Sequence, residues 1–367
     1  MKEKNLLLVV CPQYPIKNVS NKGFFVKKFV ECFNNKYSKK YDVKVFSPTR
    51  LGILYEIIKK KNFFNYIKQV NIYNFFDFTF FKRNSFIAKI ILNFLVTYHA
   101  KKYKKVYILY YFYSTLSGLP ILKKKNVYKF CHIGESKLIL KKNIYADEIL
   151  RYFCVSRKLK NILLSKSKNK DKAIYLPNGI SITKQNKPYN KRIIDNKYLS
   201  NKLVNIIFVG ALIKRKSPHI FFKFQKILKE ANFICIGDGN NIKNKNILHF
   251  KNIENSKILN IMGNSHFLFH PSKHEGMSNV ILEALSKGMI IICRDIKENR
   301  EFLSNKKFVI YINKFDKKIN YDMLKKKILL IIKKNKWNSL SNQAKSYSSN
   351  YSIVKRVIKI EKEFSLI

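Results

Sequence analysis

Two doubly wound α/β domains are what this sequence predicts, and three observations predict them. An apolar run, a glycine-bearing loop and a helix-period segment follow one another at Asn5–Val10, Gly23 and Phe24–Phe33, with a short apolar run after them at Val43–Phe46. The same order returns at Val204–Val209, Gly210, Pro218–Glu230 and Phe233–Ile236. The stretch Phe267–Arg300, FLFHPSKHEGMSNVILEALSKGMIIICRDIKENR, then sets short apolar runs on either side of a helical segment, a βαβ unit with Gly288 as the helix stop. At 367 residues the chain is long for one core and suits two domains of ordinary size.

Composition bounds the function classes. An apolar content of 46% is that of a soluble globular protein. The six cysteines are scattered without C-x-x-C or metal-like spacing, so buried reduced thiols and a cytosolic compartment are expected. The opening MKEKNLLLVVCPQYP has too short an apolar run for a signal peptide, and Lys89 interrupts the longest apolar stretch, Phe86–Tyr98. A soluble or peripheral protein follows as the expectation. The formal net charge of +52 comes with abundant Lys, Asn, Ile, Phe and Tyr and few Gly, the signature of AT-rich coding. Such a field still attracts polyanions, and anionic lipid is one partner it fits. Nucleic acid is the other, but the lysines gather into no arm and no nucleic-acid motif is present.

Taken in order, the first loop runs through Pro12, Pro15 and Gly23 at the carboxyl edge of the first strand, where Gly23 would let backbone approach a ligand. Lys59–Lys105 interleaves lysines with Phe63, Phe64, Tyr66, Phe75, Phe76, Phe78, Phe80 and Phe81. That pattern fits Phe-filled apolar faces, and it also fits base stacking or a membrane interface. Val106–Tyr113 and Val127–Phe130 are buried-type strands, the second leading into Cys131-His132-Ile133-Gly134-Glu135-Ser136. A histidine at a strand's carboxyl end, followed closely by glycine, is placed to face a ligand, although a lone histidine is more often structural. Ser181–Leu203 is polar and reads as the interdomain linker. Gly210-Ala211-Leu212-Ile213-Lys214-Arg215-Lys216 is a glycine-led basic loop before a helix, in which Lys216 can meet phosphate charge as a point cation. Ser278 is a plausible N-cap, so the helix tip at Asn279 offers backbone N–H groups to an anion such as a pyrophosphate. Glu283 lies about one turn further and leans toward that tip, where a carboxylate can accept hydrogen bonds from sugar hydroxyls. Phe308–Tyr311 reads as a last strand, Tyr321–Ile332 as a helix and Ser352–Glu363 as an amphipathic terminal helix.

Several of these residues carry a resemblance. Glu275 and Glu283 form an E-x7-E pair within PSKHEGMSNVILEALSKG, which resembles the donor-binding motif of retaining GT-B glycosyltransferases of family four, the glycosyl transferases group 1. HIGES resembles that family's H-x-G-x-S segment, Tyr152–Ser156 its "V-S" strand end, and Leu176-Pro177-Asn178-Gly179-Ile180 its P-N-G-I turn. Gly210–Lys216 is similar to its G-R-x4-K phosphate clamp, with Lys216 at the Lys position and Ala211 at the Arg position. Arg215 or Lys214 stands nearby to supply the missing cation. Gly237-Asp238-Gly239 matches its G-d-G turn, whereas Lys251-Asn252 replaces a usual glycine, and Gly23 stands alone where many members have two.

The resemblance covers nearly the whole chain and implies a GT-B fold, two facing Rossmann-like domains with a cleft between them. Residues 1–185 would be the acceptor side, with helix 350–367 packing back onto it, and 200–349 would bind the nucleotide sugar. It implies a hexosyltransferase that moves a sugar, with retention, onto a hydroxyl of a saccharide or lipid-linked acceptor in capsule, O-antigen, lipopolysaccharide or exopolysaccharide synthesis. The catalytic residues would be His132 and Glu275. The donor would be held by Gly23, Lys216, Arg215, Gly276, Met277, Ser278, Asn279 and Glu283. No D-x-D pair occurs in the sequence, in keeping with a reaction that needs no metal and no cofactor. The implied site of action is the cytoplasm or the inner face of the membrane. A sugar-nucleotide 2-epimerase of the same fold and a non-catalytic basic nucleic-acid binder are the alternatives; the first needs no acceptor, and the second would bind DNA or RNA with steep salt dependence.

Overall fold

The computed structural model describes residues 4–11, 14–15, 23–50, 72–77, 86–111, 125–134, 149–165, 170–182, 204–239, 242, 244–304, 306–334 and 336–367. Phe63, Phe64, Tyr66, Phe78, Phe80 and Phe81 of the aromatic-rich stretch, most of the linker 181–203, and Glu135 and Ser136 lie outside the described residues. The chain divides into two compact units, one of residues 1–179 with 353–367 and one of residues 180–352.

The first unit is built on a parallel seven-stranded sheet. Its strands are β1 (Asn5–Val10), β2 (Tyr41–Arg50), β3 (Ile72–Asp77), β4 (Val106–Tyr111), β5 (Val127–Ile133), β6 (Ile149–Cys154) and β7 (Ala173–Tyr175), in the order β3-β2-β1-β4-β5-β6-β7. Leu6–Val10 pair with Asp42–Phe46 on one side and Val106–Tyr110 on the other, and both β1 and β4 are buried along nearly their whole length. Continuous apolar runs are what a parallel sheet covered on both faces demands, so these strands show no alternation. Helices α1 (Phe24–Tyr37), α2 (Phe86–Lys102) and α3 (Arg157–Leu164) connect them, the last capped by Ser156 through Leu159 N at 3.2 Å. Strand β5 runs on to Ile133, past the expected end at Phe130, which places His132 inside the strand. The described cysteines are free thiols, and all but Cys32 are buried. No described helix is long and apolar enough to cross a membrane.

The last helix of the chain belongs to this first unit, because its apolar stripe completes the first core. Phe364 stacks on Tyr107 at 4.8 Å and meets Phe130 edge-on at 4.6 Å, and Val357, Ile360 and Phe364 are fully buried. Lys40 pairs with Glu361 at 2.6 Å and Arg151 with Glu363 at 3.3 Å along its rim. The buried Arg356 donates from Nη1 to the carbonyls of Leu176, at 2.8 Å, and Pro177.

The second unit has a parallel six-stranded sheet. Strands β8 (Val204–Val209), β9 (Ala231–Ile236), β10 (Ile247–Phe250), β11 (Phe267–His270), β12 (Ile290–Arg294) and β13 (Val309–Ile312) lie in the order β10-β9-β8-β11-β12-β13. Its helices are α4 (Pro218–Ile227), α5 (Asn255–Gly263), α6 (Asn279–Ser286), α7 (Lys297–Leu303), α8 (Tyr321–Lys333) and α9 (Trp337–Ser348), and the terminal helix Ile353–Ser365 is α10. Helices α5, α7 and α9 leave no clear period in the sequence; α9, WNSLSNQAKSYS, is poor in strong helix formers. Tertiary packing overrides that propensity. α9 lies on α6, and Gly288, at φ 71° after α6, lets Ser341 approach so closely that a Cβ there would fall 2.2 Å from its Oγ.

Candidate active site

In an open parallel sheet the ligand crevice lies where the strand order reverses, beyond the carboxyl ends of the two diverging strands. In the second unit these strands are β8 and β11, so the loops 210–217 and 271–278 meet there. A third loop crowds in from β9. Gly237 lies so close to the first loop that an added Cβ would sit 1.9 Å from the Gly210 carbonyl oxygen, a contact only glycine permits. Asn252, where the family pattern has glycine, takes φ 49°, a left-handed conformation asparagine tolerates better than most residues.

The two principal loops are joined by charge. Lys216 Nζ lies 2.5 Å from Glu275 Oε1, Arg215 Nη1 lies 3.6 Å from the same oxygen, and His270 Nε2 lies 3.3 Å from it. Backbone rungs reinforce the meeting: Lys273 N donates to Arg215 O at 2.9 Å, and Arg215 Nη1 donates to His274 O at 3.1 Å. Burial alone would raise the Glu275 carboxyl, but the His270 and Lys216 contacts overcome it and hold the acid well below the usual carboxylate range. His270, at the end of β11 and 1% exposed, is itself pushed down by burial and by Lys216 and Arg215, against the pull of Glu275. At neutral pH it therefore faces Glu275 without a charge, its Nε2 buried and with no hydrogen-bond partner among the described residues. The result is a fixed carboxylate with two cations beside it.

Helix α6 begins directly after this loop. Ser278 is its N-cap, in extended conformation, with Oγ accepting from Ile281 N at 3.4 Å. Met277 is buried at 7% exposure and anchors the loop between Gly276 and the cap. Asn279 opens the helix, and its Oδ1 is buried with no partner among the described residues. Glu283, in the second turn, is partly buried. Lys216, Arg215, Glu275, Gly276, Met277, Ser278, Asn279 and Glu283 thus all belong to one unit.

Gly23 and His132 belong to the other. Gly23 caps α1 in the left-handed conformation at φ 80°. Two residues on, Phe25 places its ring 6.3 Å from that of His132, while Tyr111 from β4 packs against the imidazole at 4.7 Å. His132 is 4% exposed, deeper than a strand-end position suggests. Burial and the nearby Arg356 push its pKa well down; Asn178 opposes this only weakly and does not meet hydrogen-bond geometry. The imidazole is neutral.

Residues 190–350 match the sequence family described as glycosyl transferases group 1. The matched stretch takes in both loops of the site, 210–217 and 271–278. Over 209 residues, 51% of this chain, it is 32% identical to the Escherichia coli UDP-Gal:alpha-D-GlcNAc-diphosphoundecaprenol alpha-1,3-galactosyltransferase, of which the match covers 52%. The chain thus spans about half the length of that curated relative. Among solved structures it is similar to the sucrose-phosphate synthase of Thermosynechococcus elongatus, with a TM-score of 0.71, 12% identity and coverage of 99% of this chain and 98% of that one. Anabaena HepE in complex with UDP and glucose gives a TM-score of 0.65 and 11% identity, covering 98% and 99%. These neighbours have the GT-B fold, and so has this chain.

Where the two loops meet, the geometry speaks to the arginine that position 211 lacks. Arg215 reaches the Glu275 oxygen and the His274 carbonyl, so a second cation does stand beside Lys216 although position 211 is alanine. Three members of the site were not singled out from sequence. His270 stood in plain view at the end of an apolar run, a signal of the same kind as that of His132. Arg294 and Asp316 gave none, being one cation and one acid far apart in a highly charged chain.

Proposed function

We propose that the chain transfers a hexosyl group from a nucleotide sugar to a hydroxyl of a saccharide or lipid-linked acceptor, with retention of anomeric configuration. The observation that carries this reading is the Lys216–Glu275–Arg215 cluster beside the N-terminus of α6, at the strand-order switch of the second unit. In transfer, the bond from the sugar C1 to the phosphate oxygen breaks and the acceptor oxygen takes its place. The acceptor proton passes to the leaving phosphate. Negative charge gathers on that diphosphate, and Lys216, Arg215 and the α6 tip are the groups aimed at it. These cations perform the neutralisation a divalent ion could otherwise supply, so no metal is required in this reading. Glu275 holds sugar hydroxyls once Lys216 turns to phosphate, and Glu283 takes the ribose. The relative's name, with its UDP-galactose donor and diphosphoundecaprenol acceptor, supports a UDP-sugar and a lipid-linked acceptor in cell-surface polysaccharide synthesis.

The deciding experiment is a thermal-shift screen against nucleotide sugars, followed by calorimetry on the best. One donor raises the melting temperature, and Glu283→Ala weakens its binding by about 10–100-fold, the worth of hydrogen bonds to a charged acceptor. Unchanged donor affinity in that variant would sink the assignment.

A surface of the first unit supports action at a membrane. Helix α2 buries Leu92, Val96, His99 and Ala100 and turns Ile90, Phe94 and Tyr98 outward at 51%, 71% and 44% exposure, four residues apart along one face. Lys101 and Lys102 follow in its last turn. An apolar stripe ending in cations fits the headgroup region of anionic lipid. Phe94→Asp is expected to lower co-sedimentation with phosphatidylglycerol vesicles by about tenfold, from the loss of one buried aromatic side chain. Equal sedimentation of both proteins would exclude α2 as the contact.

A further inference from the structure

We propose that Arg294 is a positioning residue for the donor site, fixing the Glu275 loop and the Lys216 loop in mutual register through Asp316. This rests on the second unit being the donor-binding unit. Arg294 ends β12 with a side chain 1% exposed, among the largest fully buried ones in the protein. Its fork is spread over two loops. Nε donates to Pro271 O at 2.9 Å, Nη1 donates to Lys314 O at 2.5 Å, and Nη1 lies 2.7 Å from Asp316 Oδ1. Asp316 in turn spends its other oxygen on His219 Nε2 at 3.1 Å and Lys273 Nζ at 3.5 Å.

The partners decide the meaning of this cluster. Pro271 opens the loop that ends in Glu275, and Lys273 lies inside it. His219 is in the first turn of α4, three residues after Lys216. One guanidinium and one carboxylate therefore hold the roots of both loops whose tips form the Lys216–Glu275 pair. Asn299 Nδ2 donates to the Arg294 carbonyl at 2.9 Å and steadies the backbone from which the side chain springs. For stability alone, a buried apolar side chain would serve as well as or better than a buried ion pair. What an apolar residue cannot do is set the direction of two carbonyls and a carboxylate at once.

The test compares wild type, Arg294→Met and Arg294→Lys, using the nucleotide sugar selected by the thermal-shift screen and the corresponding nucleoside monophosphate. Turnover, monophosphate affinity and amide exchange of Lys273 are read at a temperature where each protein is folded. In Arg294→Met the Lys273 amide exchanges faster and kcat falls about 10–100-fold, the scale of an ångström's misplacement of reacting groups. Monophosphate affinity, which depends on Glu283 in the helix, stays within about twofold, inside the scatter of non-contacting substitutions. Arg294→Lys, which keeps the charge and loses the fork, recovers part of the turnover. Full turnover in folded Arg294→Met overturns the proposal, and so does an equal fall in turnover and monophosphate affinity, which marks general loosening. A wild type inert toward every donor overturns the parent reading and this one together; an active wild type with an unaffected variant overturns this one alone.

Discussion

Lys216→Met is expected to lower sugar transfer about 10²–10³-fold, the loss seen when one preorganised group is removed from a developing negative charge. The cause lies in where Lys216 stands. Its stem passes Gly210 and its ammonium reaches Glu275 across the loop meeting, at 14% exposure, so water contributes little screening there. Substrate carries phosphate charge before the reaction too, so some binding is lost with the lysine. The larger loss falls on kcat, because charge on the leaving oxygen grows as the bond breaks. Methionine keeps the apolar stem and deletes only the cation. Steady-state release of nucleoside diphosphate checks the result, and a KM effect without a kcat effect would remove Lys216 from the leaving-group role. Arg215→Met should do less: Arg215 stands 3.6 Å from Glu275 against 2.5 Å for Lys216 and is 37% exposed.

Glu275→Gln is expected to destabilise the second unit by about 3 kcal/mol, because it strips the counter-charge from a nearly buried lysine. Glu275 is 10% exposed, and no other described carboxylate pairs with Lys216. Adding Lys216→Met to Glu275→Gln should recover a large part of that loss, since no charge is then left stranded, and the double-mutant cycle isolates the coupling. The pH dependence has a definite sign. The folded carboxyl is held below its unfolded value of about 4.3, so its stabilisation is complete above that pH and fades as acid protonates the folded state. Wild type and Glu275→Gln should therefore differ fully at neutral pH and converge in strong acid. Chemical denaturation at several pH values measures this, and a gap that persists at the acid end would mean the carboxylate is not what the lysine needs. Activity should vanish in Glu275→Gln as well if the carboxylate holds the donor sugar.

Much of the site was legible residue by residue. Lys216 closes a glycine-led basic loop, Ser278 caps a helix after a loop with Gly276, and Glu283 sits a turn inside it; each is a local pattern. The pairing was not legible. Lys216 and Glu275 are 59 residues apart, and among 74 Lys and Arg nothing local marks the lysine that meets a buried acid. Arg294 and Asp316 were hidden for the same reason. His132 shows the opposite limit: its type and place in the chain were clear, but Tyr111, Phe25 and Arg356, which make it a buried neutral ring, come from three other elements.

The sequence by itself determined the two parallel sheets, because unbroken apolar runs divided by polar helix-period segments bury only one way, and it determined which loops carry glycine, cation and acid. Strand order decided the rest. Placing β11 beside β8, with β12 and β13 beyond, laid loops distant in the chain side by side and set a guanidinium beneath them. Charge is a property of a residue, whereas the distance between two charges belongs to the closed sheet, and only folding fixes it.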